Sequence, residues 1–303
     1  MTLLSKVFDK LYLKQWSIGI ADISIEDVIR NKKIDSKFIW IPVNNKHQFF
    51  ADPFILKTSA EEYQILFEEL DYNKRYGNIS LIMLNNRNEV ISKKLLLDIK
   101  SHLSYPFFFL ENGNIYLFPE SSEAGKLACY KYDSKIKSLE FVKNIIDLPL
   151  LDSTILKYEG KYWLFATMRG RDSNSKLYLF FSDQLLGPYR PHPLNPVKNN
   201  IDGSRPAGNF IEVDGNIFRP TQGSGKYYGA SIIINKIIEL SEDSFKEEYY
   251  FKITPSQKEY YNFGIHTINY MDQKIVIDGL VRRFLPFTQI GRFLSNRKKS
   301  VVK

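Results

Sequence analysis

The chain has 303 residues, 44% of them hydrophobic and 15% aromatic, which is enough to bury a substantial core and excludes a fibrous or disordered protein. Its single cysteine, Cys129, excludes an intramolecular disulfide and any cysteine-rich zinc site. The net charge of +8 suggests an anionic partner, but the basic residues are dispersed and no nucleic-acid-binding module is present, so we expect no nucleic-acid partner.

The first residues are not typical of a signal or membrane segment. Met1–Lys10 is interrupted by charges, and no stretch of the chain approaches the roughly 20 apolar residues of a membrane span. We therefore expect a cytoplasmic protein. Two short apolar segments follow, Trp16–Ile20 and Phe38–Ile41, and both have the composition of strands.

Five short motifs then recur at nearly even spacing, and each opens a strand-like run. Their marker residues are Asp52, Tyr105, Asp152, Arg205 and His266, which lie 53, 47, 53 and 61 residues apart. A repeat of this length is typical of one supersecondary unit used five times. In a β-propeller the first strand of each blade lines the central channel, so the five positions would meet in one funnel.

The strands within each unit also favour a propeller. The first two units each contain four apolar-rich segments separated by polar turns. After His266 only two obvious strands remain, so we expect Trp16–Ile20 and Phe38–Ile41 to complete the last blade and close the ring. The predicted fold is an all-β, five-bladed β-propeller over residues 1–290, followed by a basic tail over residues 291–303.

This tail contains five Lys and Arg and no acid. Most such tails are solvated. An anionic bilayer surface, however, attracts basic residues with about 1 kcal/mol each. Peripheral contact with a membrane is therefore the alternative to a solvated tail.

The motifs occur in an order that resembles a known family. The chain is similar to the N-terminal domain family of plant glucosamine inositolphosphorylceramide transferase through the following segments: Ala51-Asp52-Pro53-Phe54, His102-Leu103-Ser104-Tyr105-Pro106, Pro119-Glu120-Ser121, Asp152-Ser153, Arg205-Pro206-Ala207-Gly208, Arg219-Pro220-Thr221-Gln222 and His266-Thr267. The resemblance covers roughly Trp16 to Asp278. Bacterial relatives of this family are often associated with surface polysaccharides, so the resemblance implies a carbohydrate-active protein.

At the superfamily level the chain resembles the five-bladed propeller glycosidases, a group that includes arabinanases, xylosidases and invertases. This resemblance implies that Asp52 is a catalytic base or nucleophile and that Asp152 tunes the site. The chain departs from the pattern in the fourth unit, where Arg205 stands in place of the general acid. A guanidinium keeps its proton throughout the working pH range and cannot act as that acid.

Arg205 and Arg219 suggest transfer rather than hydrolysis. Arginine binds phosphate through two-pronged, charge-assisted contacts, so both residues would suit a nucleotide-sugar or sugar-phosphate donor. We accordingly expect a glycosyltransferase that acts in cell-surface polysaccharide or glycolipid assembly, with a glycan or lipid-linked acceptor. The other expected substrate-binding residues are His102, Tyr105, Gln222 and His266.

A glycoside hydrolase is the alternative. Glu120, on the second strand of unit two, could supply the missing proton, and such enzymes use two carboxyl groups about 5 to 9.5 Å apart. The pair to test is Asp52 with Glu120, with Asp152 as the third catalytic carboxylate. A non-catalytic carbohydrate-binding propeller is the third interpretation, because Asp52 could be a turn former and both arginines could form structural ion pairs.

The four histidines show no metal-ligand spacing such as HExxH, so we expect no catalytic zinc. His266 could reach a cation at the centre of the ring. A histidine satisfied by protein hydrogen bonds is the preferred interpretation.

Overall fold

The computed structural model describes residues 11–57 and 62–285, which form five antiparallel sheets arranged as the blades of a propeller. The first elements in the chain are β1 (Tyr12–Asp22), α1 (Ile25–Asn31) and β2 (Ile39–Trp40). Blades 1 to 4 follow, and in each of them the four main strands are paired in chain order with the first strand innermost. The prediction of a five-bladed β-propeller is confirmed.

The first two blades have four strands each. The strands of blade 1 are β3 (Gln48–Lys57), β4 (Glu62–Asp71), β5 (Tyr76–Asn85) and β6 (Val90–Leu97). The strands of blade 2 are β7 (Ser104–Glu111), β8 (Asn114–Glu120), β9 (Leu127–Asp133) and β10 (Ser138–Ile146).

Blades 3 and 4 each carry one additional short strand. The strands of blade 3 are β11 (Leu150–Tyr158), β12 (Lys161–Met168), β13 (Lys176–Ser182), β14 (Arg190–Pro191) and β15 (Lys198–Asn199), which also pairs with β13. The strands of blade 4 are β16 (Asp202–Pro206), β17 (Ile211–Val213), β18 (Asn216–Gly223), β19 (Ser231–Leu240) and β20 (Phe245–Ile253).

Blade 5 joins the two ends of the described chain. Its inner strands are β21 (Ile268–Met271) and β22 (Lys274–Phe284), and β1 pairs with β22 from Tyr12 opposite Phe284 to Asp22 opposite Lys274. The strand β2 pairs outside β1. The expected closure by N-terminal strands is therefore confirmed, and it completes the fifth sheet with strands from both ends of the described chain.

The helix α1 was not expected. Ser24 caps its first turn by accepting a hydrogen bond from the Asp27 N–H at 3.0 Å. Ile25, Val28 and Ile29 form its buried face and join the apolar cluster between blades 4 and 5. With only seven residues, the helix is too short for a 3.6-residue period to stand out from the surrounding strands.

Two of the expectations concern membranes. The basic tail, residues 291–303, lies outside the described residues, so its contact with a membrane stays a prediction. Within residues 11–57 and 62–285, no helix combines the length and apolarity that crossing a bilayer would require.

Candidate active site

The inner strands of blades 1, 2 and 3 are interrupted by a β-bulge at the same place. The residue at each bulge has a positive φ: 51° at Asp52, 43° at Tyr105 and 51° at Asp152. This left-handed conformation costs a non-glycine residue roughly 1–2 kcal/mol, and a bulge re-aims the side chain. The same local distortion thus recurs where the sequence motifs recur.

Polar side chains from all five blades meet at the end of the channel where these bulges lie. We call this cluster the funnel; its residues are Asp52, Glu68, Glu120, Asp152, Arg205, Gln222, His266 and Asp278. Its contacts cross from blade to blade, for example from His266 to Asp52 and from Arg205 to Glu120. Six of the residues expected at the site from the sequence are therefore neighbours here.

Asp52 is 5% exposed and is held by groups from two other blades. Its Oδ1 accepts a hydrogen bond from the Thr267 hydroxyl at 2.7 Å, and its Oδ2 accepts one from the Tyr105 N–H at 3.2 Å. Burial raises the pKa of Asp52 to about 6, although the nearby His266 lowers it. These donors stabilise the ionised carboxylate at neutral pH.

His266 lies between Asp52 and Asp278. Its Nδ1 is 2.7 Å from Asp278 Oδ2, and its Nε2 is 3.4 Å from Asp52 Oδ1. Neither contact is an aligned hydrogen bond, so Nδ1 has no proper hydrogen-bond partner. Burial alone would lower the pKa of His266, but Asp278 and Asp52 outweigh it and raise the pKa above its ordinary value. The ring of Trp16 covers the imidazole, with 4.2 Å between centroids.

Asp152 is fixed by two side chains from blade 4. Arg205 donates to its two oxygens at 2.6 and 3.3 Å, and Gln222 Nε2 donates to Oδ2 at 2.8 Å. Asn174 accepts a further hydrogen bond from Arg205 Nη1 at 3.2 Å. Asp152 is therefore an oriented carboxylate whose charge is matched by Arg205.

Glu120 differs from Asp52 because one of its oxygens lacks a partner. Ser122 donates to Oε1 at 2.9 Å, whereas Oε2 has no hydrogen bond and lies 3.6 Å from Arg205 Nη2. Burial and the neighbouring Asp152 raise the pKa of Glu120 to about 8, against the effect of Arg205. A side-chain hydrogen bond with Asp152 acts in the same direction, so the surroundings of Glu120 favour its protonated form.

Glu68 and His102 form a second pair at the funnel. Glu68 is 6% exposed, its Oε1 has no hydrogen bond, and His102 Nε2 lies 3.7 Å from that oxygen. The Gly77 N–H donates to His102 Nδ1 at 3.0 Å, which places the ring proton of the neutral histidine on Nε2. Burial, followed by the charge of Asp52, raises the pKa of Glu68 well above its ordinary value.

One group of funnel side chains has donor atoms suitable for a metal ion. Asp52, His266 and Asp278 each offer one atom, and these atoms lie within 4.8 Å of one another. The unaligned Nδ1 of His266 and two carboxylates form a mixed nitrogen and oxygen set, which fits a divalent cation. Asp52 Oδ1 and Asp278 Oδ2 each accept one hydrogen bond and keep a second lone pair, whereas Asp278 Oδ1 already accepts two.

The family model described as "Glucosamine inositolphosphorylceramide transferase 1, N-terminal" matches residues 41–279, which cover blades 1 to 4 and, in blade 5, β21 and the first part of β22. The chain belongs to this family. The resemblance inferred from the motifs is therefore confirmed.

Two plant relatives carry the corresponding name, glucosamine inositolphosphorylceramide transferase 1. The protein of Arabidopsis thaliana is 35% identical over 217 residues, covering 69% of this chain and 28% of the relative. That of Oryza sativa subsp. japonica is 31% identical over 205 residues, covering 66% of this chain and 27% of the relative. This family member thus spans little more than a quarter of the length of these curated relatives.

The solved structures that are similar are propeller glycoside hydrolases. A family 117 glycoside hydrolase from Zobellia galactanivorans has a TM-score of 0.56 at 14% identity and covers 89% of this chain and 91% of its own. An exo-β-1,3-galactanase from Phanerochaete chrysosporium has a TM-score of 0.54 at 13% identity and covers 70% of this chain and 53% of its own. At these identities the likeness shows that this family member shares their fold.

Two residues expected to bind substrate have polar groups that are occupied by other parts of the protein. Tyr105 is 0% exposed, and its hydroxyl is used inside the channel by Thr154 Oγ1 at 2.8 Å and the Gly208 N–H at 2.7 Å. Arg219 is 1% exposed and is occupied by Glu247, with Nε and Nη2 at 2.8 and 2.6 Å. Tyr105 therefore supports the channel floor, and Arg219 holds blade 4 together.

The sequence analysis did not single out Glu68, Asp278 or Tyr228. Glu68 lies opposite Ala51 on β4, as Glu120 lies opposite Ser104 on β8, so the repeat itself was a usable signal. Asp278 is a carboxylate inside the apolar strand β22. Tyr228 is 43% exposed and lies over Arg205 and His266, at 5.4 and 5.3 Å from its ring centroid. An exposed aromatic ring at this position suits the apolar face of a sugar.

Proposed function

We propose that the protein is a carbohydrate-active enzyme whose funnel acts on a glycosidic bond by general acid–base catalysis. The observation that carries the proposal is the contrast between two buried carboxyl groups on adjacent blades. Asp52 accepts hydrogen bonds that favour its ionised form, whereas Glu120 Oε2 is unpartnered and its pKa is raised to about 8. Two carboxyl groups are suited to base and acid roles when their environments favour the ionised form of one and the protonated form of the other.

In this mechanism Glu120 donates its proton to the glycosidic oxygen as the bond to the anomeric carbon breaks. Asp52 accepts the proton of the attacking hydroxyl, so the new carbon–oxygen bond forms as that proton leaves. Asp152, oriented by Arg205 and Gln222, accepts hydrogen bonds from sugar hydroxyls and stabilises positive charge on the ring. His102 and Glu68 bind further hydroxyl groups.

Membership of the family supports glycosyl transfer, in which the attacking hydroxyl belongs to a surface-glycan or lipid-linked acceptor. The relatives bear a transferase name. A phosphate-bearing donor has less support than the sequence suggested, because Arg205 is paired with Asp152 and Arg219 with Glu247. We therefore favour a glycoside as the donor, with a nucleotide sugar as the alternative.

Hydrolysis is the second candidate, in which the attacking group is water. It is favoured by the composition of the funnel, where five carboxyl groups surround one guanidinium and none of the described funnel residues offers a free cation to a leaving phosphate. The two candidates share the roles of Asp52 and Glu120. They differ in the acceptor.

Defined oligosaccharides and pooled nucleotide sugars, each with and without acceptor glycans, separate these functions. Acceptor extension supports transfer, and release of reducing sugar without extension supports hydrolysis. Matched reactions with Asp52→Asn identify any contaminating activity. Saturable sugar binding without turnover in either set would contradict the enzymatic proposal and leave a carbohydrate-binding propeller.

A divalent cation held by Asp52, His266 and Asp278 is a further proposal for the site. Such an ion would supply positive charge next to a bound sugar hydroxyl. Cytoplasmic location and peripheral membrane contact remain proposals as well.

A further inference from the structure

A second cleft lies where blade 5 meets the end of the last strand of blade 4. It has a volume of about 720 Å³ and is bounded by the connection between α1 and β2 on one side and by the residues after β20 on the other. Gly264 and Gly279 lie along it. No residue of the defined funnel lines this cleft.

Trp40 forms a fixed aromatic wall of this cleft. A Cβ at Gly279 would lie 2.3 Å from its ring and one at Gly19 would lie 2.8 Å from it, so the indole packs directly on the backbone of β22 and β1. Tyr261 packs against the ring with centroids 4.6 Å apart, and Trp40 Nε1 donates to Glu259 at 2.8 Å. These contacts set the ring orientation before any ligand arrives.

The rim of the cleft is strongly basic. Five lysines and two acids line the cleft, which gives it a net charge of +3. The lysines are Lys32, Lys33, Lys37, Lys252 and Lys258, and the acids are Asp35 and Glu259. Both acids are occupied, Asp35 by Lys33 at 2.7 Å and Glu259 by Trp40. Among the described residues, the ammonium groups of Lys37, Lys252 and Lys258 have no hydrogen-bond or ion-pair partner. Lys258 lies near Asp35, and its charge adds to that of Lys33 in lowering the pKa of Asp35.

We propose that this cleft binds a phosphorylated ligand with a sugar-like or flat body. The phosphate contacts Lys37, Lys252 and Lys258, and the body lies against Trp40. Lysine is a common phosphate ligand, and a largely apolar pocket with a few charged groups is the usual form of a small-molecule site. The same chemistry is offered by a soluble sugar phosphate and by a phosphomonoester headgroup in a bilayer.

The test compares wild type with a variant carrying Lys37→Gln, Lys252→Gln and Lys258→Gln. Its matched control carries Lys131→Gln, Lys135→Gln and Lys143→Gln on blade 2, which changes net charge equally at exposed positions. Calorimetry with fructose bisphosphate and with fructose measures soluble binding. Co-sedimentation with phosphatidylcholine vesicles, with and without phosphatidic acid, measures binding to a bilayer.

We expect wild type to bind at least one of the two phosphate-bearing probes and neither uncharged counterpart. The cleft variant should bind about tenfold more weakly, whereas the control and the funnel variant Asp52→Asn should bind as wild type does. Trp40→Phe should remove any ligand-induced change in tryptophan fluorescence. Equal losses in both lysine variants, or no binding of either probe by wild type, would overturn the proposal.

Discussion

Arg205 on the inner strand of blade 4 donates from Nε to Asp152 on the inner strand of blade 3 at 2.6 Å, and both side chains are largely buried. The pair joins two blades at the funnel and fixes the orientation of one of its carboxylates. It also uses the guanidinium that would otherwise be available to a phosphate group. Arg205, which stands where the resemblance to propeller glycosidases implies an acid, therefore orients a neighbouring carboxylate here.

Removing one partner of this pair should be more harmful than removing both. Arg205→Met leaves Asp152 buried without its countercharge, for which losses of about 3–5 kcal/mol in unfolding free energy are typical. The double variant Arg205→Met with Asp152→Asn should recover part of that loss. Denaturant unfolding measures both variants.

The exposed pair between Arg30 and Asp214, with a distance of 2.8 Å, is the matched control. Arg30→Met should change the unfolding free energy little, because water screens an exposed pair. A double variant at Arg205 and Asp152 that is less stable than the sum of its single variants would contradict this account.

Asp52→Asn should abolish turnover while keeping the fold. The amide cannot accept a proton from the attacking hydroxyl, so the rate should fall by about a hundredfold or more. Steady-state kinetics and circular dichroism measure the two effects. Asp183→Asn, at an exposed carboxylate outside the funnel, should keep full activity. Full activity of Asp52→Asn on the true substrate would remove Asp52 from the catalytic machinery.

The rate should fall as the pH rises through about 8. In the proposed mechanism Glu120 is the proton donor, and its acid form is fully present well below its raised pKa and is lost above that value. Glu120→Gln should therefore lose both the activity and this alkaline limb in the profile of kcat against pH. Glu140→Gln, on the exposed face of β10, should leave the profile unchanged. An alkaline limb in residual Glu120→Gln activity would point to a different acid.

The Glu120 carboxyl group should also make the free energy of unfolding depend on pH. Because the pKa of Glu120 is about 8 in the folded protein and 4.5 ordinarily, its contribution to stability is fully present below pH 4.5 and is lost as the pH rises through 8. Glu120→Gln should remove this contribution from the pH dependence. Denaturation of wild type and variant at matched pH values tests the sign.

Glu68 should tolerate an amide where Glu120 does not. If Glu68 remains protonated and only donates and accepts hydrogen bonds, Glu68→Gln should keep kcat within a few-fold, because an amide offers similar groups. Glu68→Ala should instead raise KM. A collapse of kcat in Glu68→Gln would mean that Glu68 transfers a proton in the reaction.

A divalent cation, if the funnel binds one, should raise the melting temperature. Ca²⁺, Mn²⁺ and Zn²⁺, each added to chelator-treated protein, should be compared on wild type and Asp52→Asn. We expect at least one ion to stabilise wild type by mass action and to have less effect on the variant, which lacks one ligand oxygen. Equal shifts in both proteins, or none, would exclude this ligand set.

The spacing of the motifs was sufficient to predict the number of blades, the closure of the last one and the convergence of Asp52, Asp152 and Arg205. These features depend on the period of the repeat, which is visible in a single sequence. Which side chains form ion pairs or hydrogen bonds with one another could not be predicted in the same way. Arg219 and Glu247 lie 28 residues apart on different strands, and only their packing within blade 4 shows that the arginine is already occupied.

Local backbone geometry accounts for the other differences. Tyr105 occupies the same bulge position as Asp52 and Asp152, so the motif predicts a funnel residue, yet its longer side chain crosses the channel to Gly208. The long side chain therefore places the Tyr105 hydroxyl in the channel floor, whereas the shorter side chains of Asp52 and Asp152 stay in the wall of the funnel. Glu68 occupies on the second strand of blade 1 the place that Glu120 occupies on the second strand of blade 2, so aligning these two strands would have predicted it as well.

Trp16, from the strand that closes the ring, packs against His266. During translation β1 leaves the ribosome long before its partner β22 is made, so it must wait for more than two hundred further residues. This wall of the funnel is consequently completed only when β1 and β22 come together. Nascent chains that stop short of residues 274–284 would carry most of the blades and yet lack Asp278 and the partner strand of β1.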